Sequence, residues 1–246
     1  MFKTTKIEVD SDLTVKPIEN NSKDKIENPE LSNLNIIPKL LTSSLIVGRS
    51  GSGKSILMNF MLNNPNMFQG WFDLIVLISP TCTTDDVQMS FNADECVEDL
   101  DEADEFLNKW MILQKTKIEE YGAKEAPKIC IVFDDVIGHK FLNTSSFTAC
   151  FTRCRHYNFT VFCLSQQYKS VPKKCRLQAN NLMFFKSSDT ESQCVVDDHT
   201  PPNYSKKNFL NVIQEANGDD HSFLFINMKE PFTTRYRKNF DEIISI

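Results

Sequence analysis

The chain has 246 residues, a formal net charge of −6, 41% hydrophobic and 24% charged residues, which excludes collagenous, fibrous and wholly disordered classes. A net acidic chain does not coat nucleic acid or a membrane by bulk charge alone, so any such contact must come from a local basic surface. The longest apolar run, around Leu74–Ile78, falls far short of the ~20 residues of a membrane span, and the first residues lack the basic-then-apolar build of a secretory leader. A soluble chain of the cell interior is expected.

Residues 1–38 carry little apolar mass; TVKPIENNSKDKIENPELSN is polar and interrupted by proline. They predict a polar N-terminal arm, with short strands at 6–9 or 14–16 as its candidate elements. From residue 39 to 246 the texture is globular. Short runs rich in β-branched and aromatic residues at 44–48, 73–79, 128–133, 159–165 and 181–186 predict strands buried on both faces. Amphipathic segments at 54–64, 99–120, 141–156 and 190–197 predict the helices between and after them. A further helix near 205–216 precedes a hairpin over 223–238. Strand and helix alternating in this way predict an α/β domain with a mainly parallel sheet and a C-terminal hairpin. None of the eight cysteines forms a C-x-x-C, and no histidine stands at zinc-finger spacing, so reduced, mostly buried thiols are expected.

The sharpest signal is GRSGSGKS: Gly48, Arg49, Ser50, Gly51, Ser52, Gly53, Lys54 and Ser55. It fits G-x-x-x-x-G-K-[ST] and stands directly after a predicted strand and directly before a predicted helix. Glycines let such a loop wrap until its N–H groups converge on nucleotide phosphates. Lys54 would reach the β/γ oxygens, and the Ser55 hydroxyl would coordinate Mg²⁺. The helix starting at Lys54 adds the positive end of its dipole. The whole chain holds seven glycines, yet three crowd into this loop, which makes an adventitious Gly/Ser turn a poor account.

KICIVFDD ends a predicted buried strand in two carboxylates, the form of a Walker B element. Asp134 is the candidate Mg²⁺ ligand and Asp135 the candidate base for an attacking water, with a helix- or turn-capping role as the plainer alternative for Asp135. FTVFCLSQQ ends another strand in polar groups, where open α/β sheets bind ligands. Gln166 is there the candidate sensor of water and γ-phosphate. Before that strand stand Arg153, Arg155 and His156. They read either as cations at a helix C-terminus or as an arginine finger inserted into a neighbouring subunit.

Together GRSGSGKS, IVFDD, RHYNFTVFCLSQQY and VPKKCRLQANNLMFF resemble the genome-packaging ATPases of large double-stranded DNA viruses and virophages, the poxvirus type included. These belong to the FtsK/HerA superfamily of P-loop DNA translocases, and the resemblance covers roughly 40–240. It implies a RecA-like αβα sandwich, ATP and Mg²⁺ as cofactors, and a hexameric or pentameric ring around double-stranded DNA. It also implies capsid or portal partners, no membrane, and work in the host cytoplasm or viral factory, with virion association. Arg155 matches the family's trans finger and Gln166 its strand-end glutamine. Asp135 departs from the pattern, since many superfamily members carry Glu there.

A translocase also needs phosphate contacts along its track. Lys169, Lys173, Lys174 and Arg176 are the first candidates, and Arg235, Arg237 and Lys238 the second, each group readable equally as a solvated basic face. Arg176 doubles as a second finger or subunit contact. The alternatives to a packaging motor are a small-molecule P-loop kinase, which would need an acceptor but no DNA, and a nucleotide-gated scaffold.

Overall fold

The five apolar runs become the centre of one sheet because each carries hydrophobic side chains on both of its faces and is covered on both. The computed structural model describes residues 26–82 and 91–246. Among these, nine strands pair in the order β3-β2-β4-β5-β1-β6-β7-β8-β9. The strands are β1 Ser43–Val47, β2 Leu74–Ile78, β3 Glu95–Val97, β4 Ile129–Asp134, β5 Phe159–Ser165, β6 Asn181–Phe185, β7 Phe223–Asn227, β8 Tyr236–Lys238 and β9 Glu242–Ile243. The six from β3 to β6 are parallel; β7, β8 and β9 run antiparallel to their neighbours and contain the expected hairpin.

Alternation along each strand sends successive side chains to opposite faces. Ile46, Leu77, Val132 and Leu164 meet helix α2 (Lys54–Asn63) through Met58, Met61 and Leu62. Leu45, Val47, Ile131 and Phe133 meet the other helices, α3 (Ala103–Tyr121), α4 (Ser145–Thr152), α5 (Lys173–Arg176), α6 (Asp189–His199) and α7 (Lys206–Ala216). The result is the expected three-layer αβα sandwich. On the second face Phe133, Phe141 and Phe147 form an aromatic cluster with centroids 5.0–5.8 Å apart, Phe147 standing edge-on to the other two. Truncating Phe147 at that centre would cost about 3–5 kcal/mol.

The register sets up the site. Val47 pairs with Ser165, and Leu164 with Asp134, so the carboxyl ends of β1, β5 and β4 reach the same level. Strand β5 stands between β1 and β4, which separates the glycine-rich loop from the acidic strand end by one strand.

Three features depart from the sequence reading. Residues 26–38, assigned to the polar arm, belong to the globular unit: Ile37 is fully buried, and a short helix α1 (Glu30–Asn33) presents the buried Ser32, whose hydroxyl donates to the Pro38 carbonyl at 2.7 Å. The candidate strands at 6–9 and 14–16 lie outside the described residues. The helix expected over 141–156 is broken into a 3-10 turn at 140–143, α4, and another turn at 154–157, because Thr144 caps α4 through the Phe147 N–H and Arg153 leaves helical geometry at φ −135°. The edge strand β3 is three residues long and half-exposed, too short to carry a periodic signal. All eight cysteines are free, six of them buried and Cys96 and Cys194 half-buried.

Candidate functional site

The loop after β1 folds tightly because two of its glycines have no substitute. A Cβ on Gly48 would lie 2.5 Å from Ser52 Oγ and 2.6 Å from Phe185 Cβ, and Gly53 has φ +104°. The Gly48 N–H donates to the Ser165 carbonyl at 3.1 Å, tying the loop to β5. Lys54, the first residue of α2, curls back and donates to the carbonyls of Gly48 at 2.7 Å and Arg49 at 3.0 Å. Burial lowers its ammonium pKa, and Asp134 and then Asp135 oppose that shift.

One cavity of about 310 Å³ gathers the separate sequence signals. Ser50, Gly51, Gly53, Lys54 and Ser55 line one wall and Asp134, Asp135 and Gln166 the other. Asp134 ends β4. Burial, then Asp135, pushes its carboxyl above the ordinary carboxylate range, while Lys54 pulls the other way. Asp135 follows with φ +52°, a left-handed conformation uncommon outside glycine that turns its carboxylate out of the strand direction. Gln166 Nε2 lies 3.4 Å from Asp135 Oδ1. The turn holding Gln166 is pinned by Ser165, whose hydroxyl donates to the Gln167 carbonyl at 2.6 Å.

The residues present fit a magnesium-bound nucleotide. Among the described residues, the backbone N–H groups of Gly51, Gly53, Lys54 and Ser55 have no protein acceptor, and they stand at the amino end of α2. Ser55 and Asp134 line the same cavity, yet no cluster of three or more His, Cys, Asp or Glu exists among the described residues. That suits a cation held by one or two protein groups plus phosphate oxygens, the ordinary arrangement for Mg²⁺.

Thr81 completes the cavity and was not read from the sequence. Its signal was present: a polar residue just past the carboxyl end of an apolar run, as at Gln166. His221 was also missed. Its Nδ1 lies 3.2 Å from the Ser52 carbonyl, on the turn before β7, and nothing in local pattern links it to the loop.

The arginines and lysines separate. Arg155 is exposed on the turn at the amino end of β5, opposite the cavity. The seven residues of β5 put about 20 Å between them, so Arg155 does not reach the site of its own chain. Lys169, Lys173 and Lys174 are exposed, and their ammonium groups have no carboxylate partner among the described residues, while the Lys169 backbone N–H donates to Glu191 Oε2 at 3.0 Å. Arg176 is otherwise engaged: its Nε donates to Asp198 Oδ2 at 2.7 Å in a largely buried pair, and its guanidinium lies 5.1 Å from the Tyr168 ring. The second basic group also serves the fold. Arg237 is buried and donates to the Asn35 and Phe240 carbonyls, Arg235 donates to the Glu230 and Met228 carbonyls, and Lys238 pairs with Asp219. No described helix is long and apolar enough to cross a membrane.

A family model described as "Poxvirus A32 protein" matches residues 39–230. No curated protein matches the chain significantly in sequence. Among solved structures, the genome packaging NTPase B204 of Sulfolobus turreted icosahedral virus 2, in complex with sulfate, is 15% identical with a TM-score of 0.56, covering 83% of this chain and 98% of that one. The same protein in complex with ATP-gammaS gives a TM-score of 0.54 at 15% identity, covering 82% and 98%. The cytoplasmic domain of the type VII secretion ATPase EccC from Thermomonospora curvata is 9% identical with a TM-score of 0.53, covering 83% of this chain and 24% of that one. At these identities the likeness is one of fold, and the fold is that of P-loop ATPases.

Proposed function

The chain belongs to the poxvirus A32 protein family, and from that premise we propose that it is an ATP-hydrolysing motor that packages viral double-stranded DNA into a capsid. One observation carries the reading: the matched span 39–230 contains the loop, the acidic strand end and the strand-end glutamine, and these meet in one cavity. The structural neighbour B204, a genome packaging NTPase, supports it. Nothing in the comparisons favours the kinase alternative.

In this reading the loop N–H groups and Lys54 hold the β- and γ-phosphates and neutralise charge that develops as the terminal phosphoryl transfers. Ser55 and Asp134 would hold Mg²⁺, which supplies further neutralisation of the phosphate oxygens. Asp135 accepts the proton of the attacking water as its oxygen bonds to phosphorus. The bond to the β-phosphate oxygen breaks, and ADP and inorganic phosphate leave. Gln166, within reach of Asp135, positions that water.

Arg155 serves the neighbouring subunit's site, since its own is out of reach, and this makes a closed ring the working unit. Lys169, Lys173 and Lys174 contact the DNA backbone without reading sequence, through exposed ammonium groups that follow directly on the Gln166 turn. Arg176 is left out of that surface because Asp198 occupies it. Capsid or portal proteins anchor the ring, and the infected cell's assembly sites are where it acts.

The test is ATP turnover by the full chain with and without duplex DNA, alongside Lys54→Ala. DNA-stimulated turnover that Lys54→Ala lowers by at least about 100-fold, with the fold intact, is expected. A folded Lys54→Ala protein with undiminished turnover would overturn the site.

A further inference from the structure

A separate cavity of about 270 Å³ lies at the opposite end of the strands from the phosphate loop. It sits at the amino ends of β1 and β6 and the carboxyl end of β7, where Asn181 pairs with Asn227. The five residues of β1 put about 17 Å between it and the loop. Two ammonium groups, those of Lys39 and Lys229, line it. Neither has a carboxylate partner among the described residues, and nor has Arg155, which stands close enough to act on the Lys229 charge. Partial burial lowers the Lys229 pKa, Arg155 lowers it further, the Cys154 thiol opposes the shift and Lys39 adds to it. Cations crowded together in this way repel one another, and an anion between them relieves that cost. Glu230 is the one carboxylate among the described lining residues, and its Oε2 is engaged by the Thr234 hydroxyl at 3.0 Å.

The neutral residues of the wall add donors. Asn180 Oδ1 accepts from the Ser43 N–H at 3.2 Å, and Asn227 Oδ1 from the Lys229 N–H at 3.1 Å. Those backbone bonds fix which end of each carboxamide is the oxygen, so each residue keeps its Nδ2 donors. Neither Nδ2 has an acceptor among the described residues. Asn227 is only 7% exposed, yet its Nδ2 is not sealed from solvent. We propose that this cavity is a second phosphate site, independent of Gly48–Ser55, and that it takes a terminal phosphate group. Such a group carries about −1.5 to −2 charge at neutral pH and three strong acceptor oxygens. Two ammonium groups and two amide donors match that charge and that acceptor set. A phosphodiester of duplex DNA brings a single charge on a broad convex surface, which suits exposed lysines better than a recess lined by the buried Asn181 and Asn227. Inorganic phosphate and the end of a polyphosphate tail held by a second copy of this chain share the chemistry recognised here.

The experiment follows acylation of individual lysines in the full chain by mass spectrometry, with inorganic phosphate, tripolyphosphate or a short duplex DNA added at constant ionic strength. Phosphate and tripolyphosphate should slow acylation of Lys39 and Lys229 saturably and leave the exposed Lys124 unchanged. Asn227→Asp keeps an acceptor for the Lys229 N–H and replaces the amide donor by an anionic oxygen. It should raise the half-protecting phosphate concentration at least about tenfold. Lys229→Gln, at an exposed position, decides the matter if Asn227→Asp fails to fold, and should produce the same loss of protection at Lys39. Protection by inorganic phosphate at every protein concentration, retained in Lys54→Ala, supports the site with free phosphate as its ligand. Protection by ATP-gammaS only where copies associate, lost in Lys54→Ala, supports it with a neighbour's nucleotide as the source. No saturable protection by either anion, or protection that neither variant moves, would overturn the site. Protection by duplex DNA alone would also overturn it and make this face a contact with the DNA backbone.

Discussion

Gln166 Nε2 reaches Asp135 Oδ1 at 3.4 Å across the ends of two paired strands, β5 and β4. The contact brings together a group suited to orient a water and a group suited to take its proton. Asp135→Asn should therefore bind ATP as before and hydrolyse it about 10²–10⁴-fold more slowly, so ATP remains trapped. Gln166→Ala should also spare binding and slow turnover. Normal hydrolysis by Asp135→Asn would reduce that residue to a turn former at φ +52°.

Asp134 sets function against stability. Its carboxyl pKa lies above the ordinary range because of burial and then Asp135. A group whose folded pKa is raised favours the fold only below its unfolded pKa, and that contribution is lost as pH rises through the folded value. At neutral pH Asp134 thus contributes less to the fold than it does when protonated in both states. Asp134→Asn should raise Tm by a few degrees at pH 7 while losing Mg²⁺-dependent nucleotide affinity. The Tm difference should vanish below about pH 4, where the carboxyl is protonated in both states. A lower Tm at pH 7 would contradict the assignment of Asp134 as a desolvated carboxylate.

His199 predicts the opposite slope. Its Nε2 lies 2.8 Å from the Tyr168 hydroxyl, which also donates to Asp198 at 3.1 Å. Burial pushes its pKa down to about 4; Asp198 opposes the shift, and Arg235 and Arg176 add to it. Between about pH 6.5 and 4 the unfolded chain binds the proton that the folded chain refuses, so stability falls as pH falls through that window. Thermal melts should show this decline in the wild type and a flatter profile in His199→Gln. Parallel profiles would mean that His199 is not held neutral.

Arg155 carries the prediction about assembly. An arginine finger contributes about 10³–10⁵ in turnover. Arg155→Ala should bind ATP normally and lose hydrolysis, and mixing it with Lys54→Ala should restore activity. In the mixture an intact pocket meets an intact finger. No recovery, with mixed assemblies demonstrated by mass, would move the finger to Arg153.

Much of the site was legible because its chemistry is written in short contiguous runs. Gly48–Ser55, Asp134 with Asp135, and Gln166 each end or follow an apolar strand, and parallel register alone brings such ends to one level. What the sequence hid depends on partners far along the chain. Arg176 looked like a free cation because Asp198, twenty-two residues on, gives no local sign of pairing with it. Arg237 looked exposed because its acceptors are backbone carbonyls, which side-chain pattern does not mark: Thr234 and Phe240 nearby and Asn35 202 residues away. The stretch 26–38 looked like a tail because its burial rests on a few residues such as Ser32 and Ile37 within a polar background.

In the proposed function, hydrolysis at this site moves the protein along double-stranded DNA. Displacement of a third strand from a duplex by the full chain measures that movement directly. Displacement should require ATP and Mg²⁺, disappear in Lys54→Ala and Asp135→Asn, and not depend on duplex sequence. Robust ATP turnover on duplex DNA with no strand displacement would contradict it.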